Sequence, residues 1–396
     1  MNDGVTRNAS ARPHRVDAQN TFVCAVEILS SQNRKCSALR AFGGDKGRTI
    51  VTMNEENAKE SQDQLLVGTD AYARLSPEAV LDAMHSRGFY CDGRLLALNS
   101  YENRVYQLGV EDGPPLIVKF YRPHRWSNEQ ILEEHAFVSQ LAAADIPVVP
   151  AMLDDHSNSL SEFQGFCFAV FPRQGGRAPE LDRPDTLTWL GRYLGRIHAI
   201  GREQAYVYRP SISLETFGTQ SLSFLIDNQW IPCDLREAYM STAKQMLEKV
   251  ARCFELAGDT TCVRLHGDCH MGNVLWLEGG VQQGPHFVDF DDSRMGPAIQ
   301  DLWMLLSGSR RDMQDQLCEI LVGYEDFSGF DTRELALIEP LRCLRLLHYS
   351  AWLAQRWSDP AFKLAFPWFN TQRYWQDRIL EMREQLALLD EAPLSV

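Results

Sequence analysis

The stretch Leu265-His266-Gly267-Asp268-Cys269-His270-Met271-Gly272-Asn273, followed sixteen residues on by the Asp of Phe287-Val288-Asp289-Phe290-Asp291, restricts this chain more than any other part of it. Asp268 and Asn273 are five residues apart, so a short loop that turns back can face a carboxylate one way and an amide oxygen the other. His286-Phe287-Val288 is a short apolar segment that reads as a strand and delivers Asp289 to the same mouth. Any fold adopted by the chain has to bring these two loop ends together.

A base, an amide and a carboxylate in this order suit phosphoryl transfer, where a hydroxyl nucleophile is oriented and a triphosphate is neutralised by Mg²⁺ within one small volume. Asp268 is the candidate proton acceptor. Asn273 and Asp289 offer the hard oxygens that Mg²⁺ prefers, with Asp289 bridging the ion to the phosphates of ATP. The same order runs through kinase catalytic and metal loops, H-R-D-x-x-x-x-N and then D-F-G; here Gly267 stands at the Arg position and the metal loop reads Asp-Phe-Asp. An Asp, a His and an Asn near a turn are often only capping groups, but their conjunction with Asp289 points to chemistry. Zinc would call for a repeated paired spacing, and no further C-x-x-C or H-x-x-x-H accompanies His266, Cys269 and His270.

With 396 residues the chain can build two lobes with cores of their own. A formal charge of -14 argues against nucleic acid as a partner, because phosphate contacts need a basic face. No apolar run reaches the length of a membrane span, and Phe22-Val23-Cys24-Ala25-Val26-Glu27-Ile28-Leu29 is broken by Glu27 and lacks the shape of a secretory signal. Ten scattered cysteines suit reduced thiols in a cytoplasm, and Cys269 reads as a space-filling residue. Residues 1–70 are polar and weakly periodic, an extension expected to be disordered, with Met53 as a candidate start. Residues 71–172 are expected to form a small sheet-based lobe and 173–396 a helical one.

Ser76-Pro77-Glu78 has the cap, Pro and acid of a helix start. Three strands follow as a meander, around Leu95–Leu98, Arg104–Leu108 and Leu116–Tyr121. Lys119, set inside the apolar third strand, is a candidate phosphate anchor, with Glu134 of the next helix as its expected partner and Glu133 as second choice. Between the first two strands, where kinases carry a glycine-rich loop, Ser100 and Asn103 are candidate lid residues that could donate to phosphate oxygens. Phe166–Phe171 reads as a further strand ending at Pro172, and Phe171 is placed at an interlobe hinge that would hold adenine. Helical periodicity then runs through Leu187–His198 and roughly 235–257, 298–325 and 332–357. His198 reads as a packed helix residue. Asp301 either accepts hydrogen bonds from the catalytic-loop backbone or favours a helix dipole. Trp303, Trp352, Trp357, Trp368 and Trp375 are expected in core or groove packing rather than in a cage for a quaternary ammonium.

The segments Leu265–Trp276, Phe287–Asp292 and Gly296–Leu306 resemble the aminoglycoside phosphotransferase and choline kinase superfamily. Leu98–Gln107 and Val118–Pro123 narrow the resemblance, over about residues 72–394, to the bacterial stress response kinase A family. The resemblance implies an α+β, bilobal protein-kinase-like fold with a small antiparallel-sheet N-lobe and a mainly helical C-lobe. It also implies ATP and Mg²⁺ as cofactors, Ser/Thr protein kinase activity with autophosphorylation, and a cytoplasmic role in stress survival. By position, Asp268 would accept the proton, Asn273 and Asp289 would hold Mg²⁺, Ser100 would touch ATP, and Lys119 with Glu134 would form the phosphate-anchoring pair. A monomer acting on Ser/Thr hydroxyls of proteins is expected. The alternative is a small-molecule kinase for an amino alcohol, aminoglycoside or sugar, which would differ only in the acceptor groove.

Overall fold

The computed structural model describes residues 71–396 apart from Asn99, Asp182, Pro184 and residues 280–282. The expected extension 1–70 and the candidate start Met53 lie outside the described residues.

The first element, α1 (Pro77–Ser86), starts as its sequence dictates: Ser76 Oγ accepts from the Ala79 amide at 3.2 Å and Pro77 occupies the first turn. Strands β1 (Cys91–Ala97), β2 (Arg104–Val110) and β3 (Leu116–Phe120) form the anticipated meander. Helix α2 (Asn128–Ala143) then opens on a complete capping box between Ser127 and Gln130. A short β4 (Ser161–Phe163) and β5 (Phe166–Pro172) complete an antiparallel sheet of order β1-β2-β3-β5-β4.

Alternation along β3 sets the architecture of this lobe. Val118 and Phe120 point with Phe168 and Val170 to the α1 face, where Val80, Ala83 and Met84 cover them. Lys119, paired with Ala169 in register, takes the opposite face, toward α2 and the rest of the molecule.

The remainder is mainly helical. It comprises α3 (Thr186–Gly201), a π-helical turn at Leu214–Thr219, α4 (Gln220–Asp227), α5 (Cys233–Ala257), α6 (Ile299–Trp303), α7 (Arg310–Tyr324), α8 (Ile338–Gln355), α9 (Pro360–Ala365) and α10 (Gln372–Leu388). One apolar core runs through these helices. Two short ribbons are set among them, β6 (Cys262–Arg264) with β9 (Met295–Pro297), and β7 (Val274–Leu277) with β8 (Gly284–Phe287). The expected helix over 298–325 is two helices, separated where Gly308 takes φ +89° and Ser309 caps the second. That over 332–357 begins as a 3₁₀ turn at Thr332–Leu337. Trp375 is fully buried against Tyr239, Phe369 and Tyr374, so its role is packing.

Candidate active site

Both ribbons deliver the motif. The β6 strand ends at Arg264, and the chain turns sharply through Gly267 at φ +87°. A Cβ there would stand 2.1 Å from the Asp292 carbonyl oxygen, so both conformation and space require glycine. Asp301 of α6 fastens this turn. Its carboxylate accepts from the amides of His266 (2.8 Å) and Gly267 (2.9 Å), and His198 Nε2 lies 2.9 Å from the same group. All of Asp301, His266 and His198 are fully buried. Cys269 is fully buried too, and desolvation next to Asp301 and Asp268 pushes its thiol well above the usual range.

Asp268 follows the turn. Burial alone would raise its carboxyl, but the Arg345 guanidinium from α8, with Nη2 2.9 Å from Oδ1, and His270, with Nε2 3.4 Å from Oδ2, outweigh that and hold it well below the ordinary carboxylate range. Asn273 Nδ2 donates to the Asp268 carbonyl at 3.0 Å, which commits the nitrogen end of the amide and leaves the oxygen end as the candidate ligand. The Val288 amide donates to the Asn273 carbonyl at 3.0 Å, so Asn273 and Asp289 lie at the same end of the β7–β8 ribbon.

Asp289 adopts φ 62°, ψ 62°, a left-handed conformation that Asp tolerates better than most residues. Its Oδ1 receives Lys119 Nζ at 2.8 Å while the side chain remains 55% exposed. The kink turns Asp291 inward, where it is buried. One Asp291 oxygen stands 3.2 Å from Lys119 Nζ; the other accepts from Asn103 Nδ2 at 3.1 Å and from Arg125 Nη1. Burial opposes ionisation of Asp291, yet Arg125, Lys119 and Arg209 keep it well below its usual value. Burial likewise works against the Lys119 ammonium, but Asp289 and Asp291 more than offset it and raise its pKa well above normal.

Two expectations are corrected here. Lys119 does not pair with Glu134: its partners are Asp289 and Asp291, both from the Asp-Phe-Asp segment after β8. Glu134 stands instead 3.7 Å from Arg209 Nη2, and burial, only partly countered by Lys119 and Arg209, raises its carboxyl to about 7. Glu133, the second choice, accepts from the amides of Val207, Tyr208 and Arg209. Asn103 does not offer its side chain to a lid, because it is buried with Nδ2 on Asp291 and Oδ1 accepting from the Arg122 amide at 3.1 Å. Ser100 is half-buried in the loop between β1 and β2. Phe171 pairs with Ile117 in the sheet and sets its ring edge-on to His135 at 6.2 Å.

The loop also reaches across to the helical lobe. Tyr101 packs edge-on against Phe366 at 5.1 Å, and Glu102 accepts from Trp352 Nε1 and Arg356 Nε, each at 2.5 Å. Arg104 and Arg122 both reach Asp359, at 3.4 and 2.7 Å. Sequence reasoning missed Asp291, Arg125, Arg345, Glu102 and Asp359 as parts of the site. Only Asp291 carried a signal, its position in the Asp-Phe-Asp motif.

Among the described residues no cluster of three or more His, Cys, Asp or Glu could hold a metal. A Mg²⁺ site that shares its ion with phosphates needs only one or two protein oxygens, and Asn273 and Asp289 are the candidates for them. No helix among the described residues is long and apolar enough to cross a membrane.

The family model described as "Phosphotransferase enzyme family" matches residues 94–338, which run from within β1 through both ribbons and take in Asp268, Asn273 and Asp289. The chain belongs to this family. Among relatives of this phosphotransferase, stress response kinase A of Escherichia coli (strain K12) is 45% identical over 325 residues, covering 82% of this chain and 97% of that protein. Serine/threonine protein kinase RdoA of Salmonella typhimurium (strain LT2) is 44% identical over the same shares. The phosphotransferase is thus a homologue of the stress response kinases, as the resemblance implied. In fold it is similar to an amicoumacin kinase solved with AMP-PNP and Ca²⁺, with a TM-score of 0.59, 19% identity, and coverage of 87% of this chain and 98% of that one. A microcompartment-associated aminopropanol kinase gives a TM-score of 0.57 at 17% identity, covering 78% and 96%. The α+β, bilobal kinase-like architecture and a phosphotransferase acting on a hydroxyl acceptor stand on these findings.

Proposed function

We propose that the protein is an ATP- and Mg²⁺-dependent Ser/Thr protein kinase that also phosphorylates itself and acts in a cytoplasmic stress response. The observation that carries this reading is the convergence of Asp268, Asn273 and Asp289 opposite Lys119, with the Asn273 amide tied to the Asp268 carbonyl. The names of the relatives, stress response kinase A and serine/threonine protein kinase RdoA, support the acceptor class.

Bound Mg²⁺-ATP supplies the transferable phosphoryl group and neutralises its charge. The chain's own residues do the rest. Asp268 orients the acceptor hydroxyl and takes its proton at a carboxylate oxygen. Its low pKa keeps it ionised, so orientation rather than strong basicity is its contribution. Asn273 Oδ1 and Asp289 would hold the metal. Lys119, bound to Asp289 and Asp291, anchors phosphate oxygens, and Ser100 in the β1–β2 loop covers them. The backbone from Phe171 to Gly176 would take adenine at the join between a sheet-based unit, 71–172, and a helical unit, 173–396.

The deciding experiment incubates the purified chain with γ-labelled ATP and Mg²⁺, with casein-type protein and, separately, with a panel of amino alcohols, aminoglycosides and sugars. Label on protein and on the enzyme itself is expected. Multiple turnovers on a metabolite with no transfer to protein would overturn the reading.

A further inference from the structure

One arginine stands directly against Asp268. Arg345 lies 77 positions after Asp268, on α8, and bonds the catalytic carboxylate while 29% of its side chain stays exposed. Neighbouring carboxylates are already committed. Asp292 holds Arg125 at 2.7 Å and Arg294 at 3.7 Å; Glu102 holds Arg122, Arg125 and Arg356; Asp359 holds Arg104 and Arg122. Asp289, the more exposed acid, is on Lys119 and belongs to the metal site. Three residues along α8 from Arg345, His348 is stacked on Phe217 at 3.9 Å. Burial first, then Arg294, with Arg356 and Arg345 adding to it, brings His348 down to about 3, so it is neutral at physiological pH. An amine entering beside Asp268 would meet the partly exposed Arg345 guanidinium, while each of these other carboxylates is already paired.

We infer that Arg345 selects the acceptor: its guanidinium, held at the edge of Asp268, receives a carboxylate next to the hydroxyl to be phosphorylated, so acidic Ser/Thr segments are preferred and amine-bearing acceptors are rejected. The inference rests on the protein-kinase reading and names its substrate class. Arg suits the position because its planar fork can bind Asp268 through one edge and present remaining N–H donors to a second carboxylate. The chain's net charge of -14 does not oppose this, because charges more than about 8–10 Å away are screened at physiological salt while the Arg345 contact is direct. Rejection of the wrong charge is as much a part of the selection as attraction of the right one.

The test uses two Ser peptides of equal length, one flanked by Asp and one by Lys, with full-length wild type and the variants Arg345→Lys, Arg345→Gln, Arg345→Ala and Arg345→Glu. Each is measured for kcat and KM separately, with thermal melting as a check of folding. Wild type is expected to favour the acidic peptide by about tenfold in kcat/KM, equivalent to about 1.4 kcal/mol, chiefly through KM. R345K, which keeps the charge but not the fork, should fall between wild type and R345A; R345A and R345Q should bring the ratio near one, and R345E should invert it. Any loss of turnover from freeing Asp268 affects both peptides alike and cancels in the ratio. A merely structural Arg345 would lower both rates and leave the ratio unchanged, which overturns the inference. A wild type that favours the basic peptide overturns it without any variant. If neither peptide is labelled while a metabolite turns over, the protein-kinase reading falls and the inference falls with it; peptides labelled at an unchanged ratio sink the inference alone.

Discussion

Replacing Asp301 by Ala would strip the catalytic loop of its anchor. The His266 and Gly267 amides lose their acceptor, and both lie where water does not reach. His198 keeps one partner, Tyr324 Oη at 3.0 Å from Nδ1, so the main loss is two backbone donors. Each buried, unsatisfied donor costs about 1–3 kcal/mol, so D301A should weaken the loop by about 2–6 kcal/mol. Against a total stability of roughly 5–15 kcal/mol this opens the segment locally before it unfolds the protein. Asp301→Asn should fall between. An amide has one oxygen, so whichever way it is turned its NH₂ faces one of the two backbone N–H groups, and about 1–3 kcal/mol is lost. Hydrogen exchange read by mass spectrometry over residues 262–273 measures this directly: at tenfold per 1.4 kcal/mol, protection in D301A should drop by about thirtyfold to more than 10⁴-fold. Turnover should fall in the same order, wild type above D301N above D301A. Unchanged exchange in that segment together with near wild-type turnover in D301A would refute the anchoring argument.

Asp268→Ala should lose on the order of 10²-fold to 10⁴-fold in kcat in the labelled-ATP assay, the usual worth of a positioned base, with its melting transition retained. Gly267→Ala has to relieve a contact of 2.1 Å with backbone and a positive φ, so kcat should collapse and the 262–273 amides should exchange faster; normal kinetics would show that the turn can relax. Glu134 and Glu334 both have carboxyls raised to about 7, mainly by burial, so the folded state binds protons more tightly than the unfolded chain. Their stabilising contribution is complete below about pH 4.5 and is lost as pH rises through about 7. Glu134→Gln, which mimics the protonated acid, should match wild type in urea unfolding near pH 5 and exceed it near pH 8, by on the order of 3 kcal/mol. The variant should keep its turnover if Lys119 relies on Asp289 and Asp291; a loss of kcat with intact folding would restore Glu134 to the anchoring pair.

What could be read from the chain was local. Asp268, Asn273 and Asp289 lie within 21 residues of one another, and their spacing expresses the loop and ribbon that carry them. The caps at Ser76 and Ser127 and the meander around Lys119 are short-range signals of the same kind. The partners of Lys119 were not, because they depend on the left-handed turn at Asp289, which swings Asp291 into the interior and draws Asn103 and Arg125 after it. The kinase pattern of a strand Lys and a Glu from the following helix favoured Glu134; in the fold that buried carboxyl stands beside Arg209 instead. Arg345 could not be found at all, since nothing in an amphipathic helix states which carboxylate 77 residues earlier its guanidinium will meet. The single periodic stretch over 298–325 hid a break that only Gly308 and Ser309 mark.

The full burial of Cys269 has a practical outcome. Thiolate is the form that reacts with alkylating and oxidising reagents, and this thiol neither ionises readily nor meets solvent. Cys233, by contrast, is exposed at the start of α5. Cys262, on β6, is exposed as well. A maleimide fluorophore or spin label therefore reaches surface thiols such as Cys233 and Cys262 and leaves Cys269 untouched, and replacing Cys262 by Ser keeps the label off the strand that leads into the catalytic loop.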